Sequence, residues 1–230
     1  MRPRLLAAVL AAALAAPAAA GAATWMVDPE RSSFAVLVHR AGFASRFAHD
    51  HLVVARSPAC ELDFDPATAA AARLACRQTV LALDVDPPAD RARLAPRLAA
   101  LGALAGDLPV IPEDDRREIR AAMLDARQLF AERFPEIRAE LVALARRDGG
   151  DGGGEPGWSA RLRVELRGET VETTAPLTWR VTAGELRGEL LAELAFTDFR
   201  IDPYSALLGA VRNADRFHLY VELVARPETP

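Results

Sequence analysis

Residues 158–182 read WSARLRVELRGETVETTAPLTWRVT, and the alternation in this stretch decides the fold class. Trp158, Ala160, Leu162, Val164 and Leu166 take turns with Ser159, Arg161, Arg163, Glu165 and Arg167. Beyond a tight turn marked by Gly168 and Glu169, the apolar series Val171, Ala175, Leu177, Trp179 and Val181, with Thr173, alternates with Glu172, Thr174, Thr178 and Arg180. A period of two sends every second side chain to one face, so these are strands with one buried face. Downstream, Leu186, Leu190, Leu194 and Phe196 alternate with Glu185, Arg187, Glu189 and Glu193 after a hairpin turn at Ala183 and Gly184. A last strand sets Phe217, Leu219, Val221 and Leu223 against His218, Tyr220 and Glu222.

The first half is less regular but still strand-like: Ser32 to His39, Phe47 to Ala55, then two cysteine-bearing strands, the second running to about Val85. Gly42 and Ser45 mark the first turn. Between Pro87 and Pro112 the chain becomes rich in Pro, Ala, Leu and Arg with weak helical periodicity, which reads as an inserted lid or helical loop. Asp114 and Asp115 open a helix with acids at its positive end, and Ile119, Met123, Leu124 and Gln128 trace its buried stripe to about Leu129. Pro135 ends it and begins a strand through Leu144. Residues 146–157 contain a literal Gly-x-Gly-x-x-Gly at Gly152, Gly154 and Gly157, but no strand-to-helix crossover surrounds it and the segment carries acids. It reads as a solvated hairpin loop. The sum is a mainly β chain: a single antiparallel β-barrel of about eight strands over residues 24–230, with one helix and the inserted helical loop. Eight strands enclose a volume that side chains can fill or one small ligand can occupy, and periodicity does not choose between these.

The N-terminus speaks to compartment. Arg2 and Arg4 precede an apolar run from Leu5 to Ala16 and a small-residue tail, the pattern of a secretory signal peptide over residues 1–23 with cleavage between Ala19 and Ala23. The run is shorter than the roughly 20 residues a membrane-spanning helix needs, so a periplasmic protein without stable membrane insertion is expected. Cleavage takes the formal charge from −4 to about −6, with every basic residue an arginine, and an acidic chain has no attraction to nucleic acid. Two cysteines remain, Cys60 and Cys76. If 59–65 and 71–77 form a hairpin, Cys60 lies opposite Cys76 and Leu62 opposite Leu74. Export favours a disulfide there; the alternative is two buried free thiols.

Three groups of residues carry a family resemblance, in order along the chain. Trp25, Asp28, Pro29, Ser32, Ser33 and Phe34 open it. Arg117, Ile119, Met123, Leu124, Phe130, Phe134, Pro135, Glu136 and Ile137 form the middle, and Leu166, Gly168, Thr170, Leu177 and Thr178 the last. From Trp25 to Ala225 the chain resembles the YceI-like family. That resemblance implies a lipocalin-like antiparallel barrel with an elongated apolar cavity, which in some members holds a polyisoprenoid chain. The chain departs from the family's pattern at Glu61–Pro66 and at Thr197–Ile201, and it carries a His-Asp-His motif, as a divergent branch would.

The apolar faces supply the candidate ligand contacts: Phe34, Val36, Val38, Trp158, Leu162, Val164, Leu177, Trp179, Leu190, Leu194 and Phe196. Each could equally be plain core. A carrier for an isoprenoid or other small amphiphile is the expected function, with no cofactor beyond the bound lipid and with Arg117 or Arg212 as rim partners for a phosphate head. The alternative is a metal- or haem-associated accessory protein using His39, His49 and His51, since neutral imidazole suits zinc, copper and iron. Neither a Gly-x-Ser-x-Gly elbow nor a His-Glu-x-x-His helix is present, so catalysis is not expected. An uncovered edge strand would permit a homodimer.

Overall fold

Alternating side chains place each strand with one face inward, and the described residues form twelve of them. In order they are β1 (Ala23–Val27), β2 (Ser33–Ala41), β3 (His51–Ala55), β4 (Ala59–Phe64), β5 (Arg73–Thr79) and β6 (Leu83–Val85). Helices α1 (Pro88–Ala100) and α2 (Glu113–Leu124) follow. The chain continues with β7 (Glu136–Arg147), β8 (Gly157–Leu166), β9 (Glu169–Thr182), β10 (Glu185–Ala195), β11 (Ser205–Ala206) and β12 (Val211–Pro227). This computed structural model describes residues 23–43, 48–147 and 157–228. The expected leader, the centre of the first turn and the glycine-rich segment lie outside the described residues; β7 and β8 pair up to Arg147 opposite Gly157 on either side of that segment.

A closed antiparallel barrel results, the ring running β1–β4–β5–β7–β8–β9–β10–β12 and back to β1. Three of its eight staves are kinked pairs. β1 and β2 run in succession along one edge of β12, β3 continues into β4, and β5 into β6. The β1–β2 kink explains the opening motif. Asp28 Oδ1 accepts from the backbone N–H groups of Glu30 and Arg31, both at 3.1 Å, which folds the extra residues into a compact bulge. The Val224 N–H that this bulge would orphan donates to Ser32 Oγ at 2.9 Å. At the β3–β4 kink, Ser57 takes a left-handed φ of 51° and Pro58 removes a donor.

The expected strands stand with small changes of boundary. β3 begins at His51, not Phe47, because Asp50 turns its side chain to the Arg40 N–H at 3.0 Å and ends the pairing there. The turn after β8 centres on Arg167 and Gly168, with φ of 53° and 78°, one residue earlier than Gly168 and Glu169. Gly168 is required twice over, since a Cβ there would also lie 2.9 Å from the Phe134 ring.

The segment from Pro87 to Pro112 is the expected helical insertion, but it is not a lid. α1 lies on the outer wall, where Leu94 and Leu98, with Ala103 and Leu104 beyond the helix, cover Leu37, Leu52, Val54 and Tyr220. The reason is legible in β2: SFAVLVH is apolar at consecutive positions, so both faces need cover, Phe34, Val36 and Val38 inward and Ala35 and Leu37 outward. The helix near the end of the barrel is α2, whose Arg120 donates to the carbonyls of Leu83 (3.3 Å) and Leu81 (2.6 Å) and so caps the free edge of β6. Among the described residues the edge route to a homodimer is left with only β6 and the two-residue β11. Outward positions of β7 to β9 carry a cross-strand charge ladder including Glu140, Arg163 and Glu172, opposite in character to the apolar exterior of a membrane barrel.

Cys60 stands opposite Cys76, as the hairpin register requires, and the two are bonded across a separation of 16 residues. Closing a loop of that size restricts the unfolded chain. The C60S/C76S double variant is therefore expected to lose about 3 kcal/mol of stability in a urea titration, with unchanged far-ultraviolet circular dichroism in the native state.

Candidate functional site

The barrel is hollow over part of its length. One end is a solid floor in which Trp25, Leu62, Phe64, Leu186 and Leu223 pack with Trp158 and Trp179. Its aromatic rings meet edge to face, Trp25 and Phe64 at 5.8 Å and Phe64 and Trp179 at 4.9 Å, and Trp25 Nε1 donates to the Phe64 carbonyl at 2.8 Å. Above it lies a cavity of about 550 Å³. That is within the roughly 300 to 1,000 Å³ of sites for small organic ligands. Its walls come from β2, β3, β5, β7, β8, β10 and β12, and α2 contributes Ile119, Ala122 and Met123. Exposed Asp115, Glu118 and Tyr204 belong to the lining, which locates the opening beside α2.

Of the candidate contacts, Phe34, Val36, Val38, Leu162, Leu190 and Phe196 line the cavity. Trp158, Leu177 and Trp179 do not: the two tryptophans belong to the floor, and Leu177 packs beside Trp158 on Ala160, Ala175 and Leu190. Val164 and Leu194 are absorbed into the core around Phe199, Ile201 and Phe217. All five face inward as alternation demands, but inward is not the same as facing empty space. Arg117 bridges Asp114 on the surface of α2, and neither it nor Arg212 reaches the lining, whose charged members are acids.

The proposed trio of His39, His49 and His51 is not assembled. β3 begins only at His51, so His49 is outside the strand and exposed, and strand parity cannot hold the two on one face. His39 lies on the outer surface, its Nε2 2.8 Å from His218 Nδ1 and its Nδ1 3.5 Å from Asp50 Oδ2. Among the described residues no three His, Cys, Asp or Glu side chains converge as a metal site would require. Burial, and then the neighbouring His39, push the His218 imidazole below the ordinary histidine value of 6.5. Asp50 responds to opposing influences: burial would raise it, but the hydrogen bonds from His39 and the Arg40 N–H together hold it below the usual carboxylate value.

His51 faces inward instead and lines the cavity. Its Nδ1 lies 2.7 Å from Asp86 Oδ2, and the fully buried Asp86 also accepts from the Leu52 N–H at 2.7 Å and from the Arg91 guanidinium. Arg91, 1% exposed on α1, donates in turn to the Asp50 carbonyl at 3.1 Å. Beyond His51 itself, the sequence pointed to no member of this network. Asp86 and Arg91 sit five residues apart across a helix start, and no local pattern distinguishes them from surface charges. Gln78, Tyr204 and Asn213, among the other polar members of the lining, lie on segments whose inward face showed only after the register was known.

No family model matches the chain, and no curated protein matches it either. Solved structures do. BcnA of Burkholderia cenocepacia is similar at a TM-score of 0.58 and 14% identity, over 86% of this chain and 99% of its own. A YceI protein of Campylobacter jejuni is similar at 0.52 and 10% identity, over 77% and 85%, and a mutant of that protein with a monobromobimane guest at 0.53. Identities this low bear on the fold, which is a YceI-like barrel in outline.

Two outcomes follow. Asp86→Ala leaves Arg91 buried without its carboxylate, and a loss of about 3 to 5 kcal/mol is expected by chemical denaturation. Because His218 takes up its proton less readily in the folded state than the ordinary value of 6.5, the unfolded state binds more protons below that pH. Stability contributed by the neutral ring is therefore fully present above 6.5 and lost as pH falls below it through the lower folded-state value, and the His218→Gln variant should show a shallower decline on acidification.

Proposed function

We propose that this chain works in the periplasm, after cleavage of its N-terminal segment, as a binding or carrier protein for an isoprenoid or similar amphiphile and without chemistry of its own. The single observation that carries this reading is the apolar cavity above a solid aromatic floor in a closed barrel. A lipid tail threaded there would gain about 0.8 kcal/mol for each CH₂ removed from water, so a few isoprene units suffice for useful affinity. The blind floor and the opening beside α2 admit a chain from one end only, tail first. The likeness to YceI-type barrels supports the architecture; the ligand class rests on the shape and polarity of the hollow itself.

Native mass spectrometry of protein exported and purified without detergent tests the proposal. The expected result is a chain cleaved between Ala19 and Ala23 carrying one extractable apolar molecule. Leu219→Trp, which extends a lining residue into the cavity, should lower affinity for an added isoprenoid alcohol at least tenfold while the protein remains folded. An exported protein that neither carries nor takes up any such molecule would refute it.

A further inference from the structure

The polar atoms of the cavity have a chemical bias. His51 lines it and has Nδ1 engaged by Asp86, so in the neutral ring Nδ1 holds the proton and Nε2 is a free acceptor. Asp86 is itself paired with Arg91, so the support behind the ring is neutral as a unit. Gln78 also lines the cavity; its Nε2 is committed to the Thr79 carbonyl at 2.8 Å, which fixes the amide orientation and leaves a buried Oε1 without a partner. Gln128 likewise commits its Nε2, to the Asp202 carbonyl at 3.1 Å. Asp115 and Glu118 at the opening are carboxylates. Each amide keeps a second N–H, but the atoms that His51 and Gln78 leave without a partner, Nε2 and Oε1, are both acceptors. Tyr204 and Asn213 can do either.

We infer that the site selects amphiphiles whose head carries a neutral hydrogen-bond donor, an alcoholic or phenolic hydroxyl, and that His51 Nε2 is the atom that receives it. The inference rests on the carrier reading and narrows it. Placement agrees with the polarity such a ligand needs. His51 stands opposite Val38 and Asn213 opposite Arg40, toward one end of the barrel, whereas Trp25 pairs with Leu62 and Pro227 at the floor. A hydroxyl at His51 with the tail running toward the floor leaves no buried polar atom of the head unsatisfied. An ether or ketone brings a second acceptor against an acceptor, and a phosphate or carboxylate meets the acids at the opening. His51 would be the discriminating contact, with Asp86 and Arg91 as positioning residues.

Farnesol, farnesyl methyl ether and farnesyl phosphate share one chain and differ only in the head, and their affinities can be compared by displacement of an apolar fluorescent probe at about pH 8, where an ordinary imidazole is neutral. The wild-type protein should bind the alcohol about tenfold more tightly than the ether and bind the phosphate most weakly. His51→Phe should erase the preference between alcohol and ether while ether affinity stays within about twofold. Equal affinity for alcohol and ether in the wild-type protein, tightest binding of the phosphate, or a preference that survives His51→Phe would each overturn the inference and leave the carrier reading standing. Failure of all three to bind would remove the carrier reading itself.

Discussion

The barrel depends on β12 having hydrogen-bonding partners along both edges. One edge is taken by β10 from Arg216 to Ala225, and the other is shared in series by β2 and β1. A sheet of this size left open would expose a row of unpaired amides and carbonyls to any passing strand, and closing on itself removes that row. Closure also dictates where the chain must kink. β1 and β2 can both lie against one straight strand only if the residues between them fold out of the way, which Asp28 and Ser32 arrange with their own side chains. A ring of eight staves leaves an interior that its side chains need not fill.

What fills that interior follows from the sizes of the inward residues at each level. Trp25, Phe64, Trp158 and Trp179 meet at one level and close it; valine, leucine and alanine at the next levels leave space. Few polar groups intrude, and His51, Gln78 and Gln128 are held by neighbours. The His51–Asp86–Arg91 chain threads from the cavity wall through a buried carboxylate to a helix outside the barrel, a costly arrangement for a ring that takes no part in the strand ladder. An oily slot accepts any slender hydrocarbon of suitable length, so discrimination between ligands has to come from such isolated polar atoms.

Alternation in WSARLRVEL and its neighbours was sufficient to read strand identity, inward face and the Cys60–Cys76 register, because period two and hairpin turns are local properties. The resemblance singled out Trp25 to Phe34 and the helix around Ile119 to Leu124 as motifs, but the bulge at the first and the opening beside the second came from the structure. Depth along the barrel axis was not local. Trp158 and Leu162 carry the same inward signature four residues apart, yet one is floor and the other wall. The histidines failed for a related reason: shared parity holds only inside a strand, and Asp50 ends β3 between His49 and His51. The role of α1 was visible in the double-sided apolar run of β2, but weak periodicity over a proline-rich segment suggested a lid or helical loop without showing that it is a second cover.

That second cover makes the staves mechanically unequal. β2 and β3 are clamped between the internal surface and a helix anchored by Leu94, Leu98 and the buried Arg91, whereas β7, β8 and β9 face water on their outer side with only exposed charge pairs across them. Surface pairs of that kind resist deformation weakly. Any swelling of the hollow would therefore be taken up by the unclamped flank, while the flank bearing His51 keeps its shape.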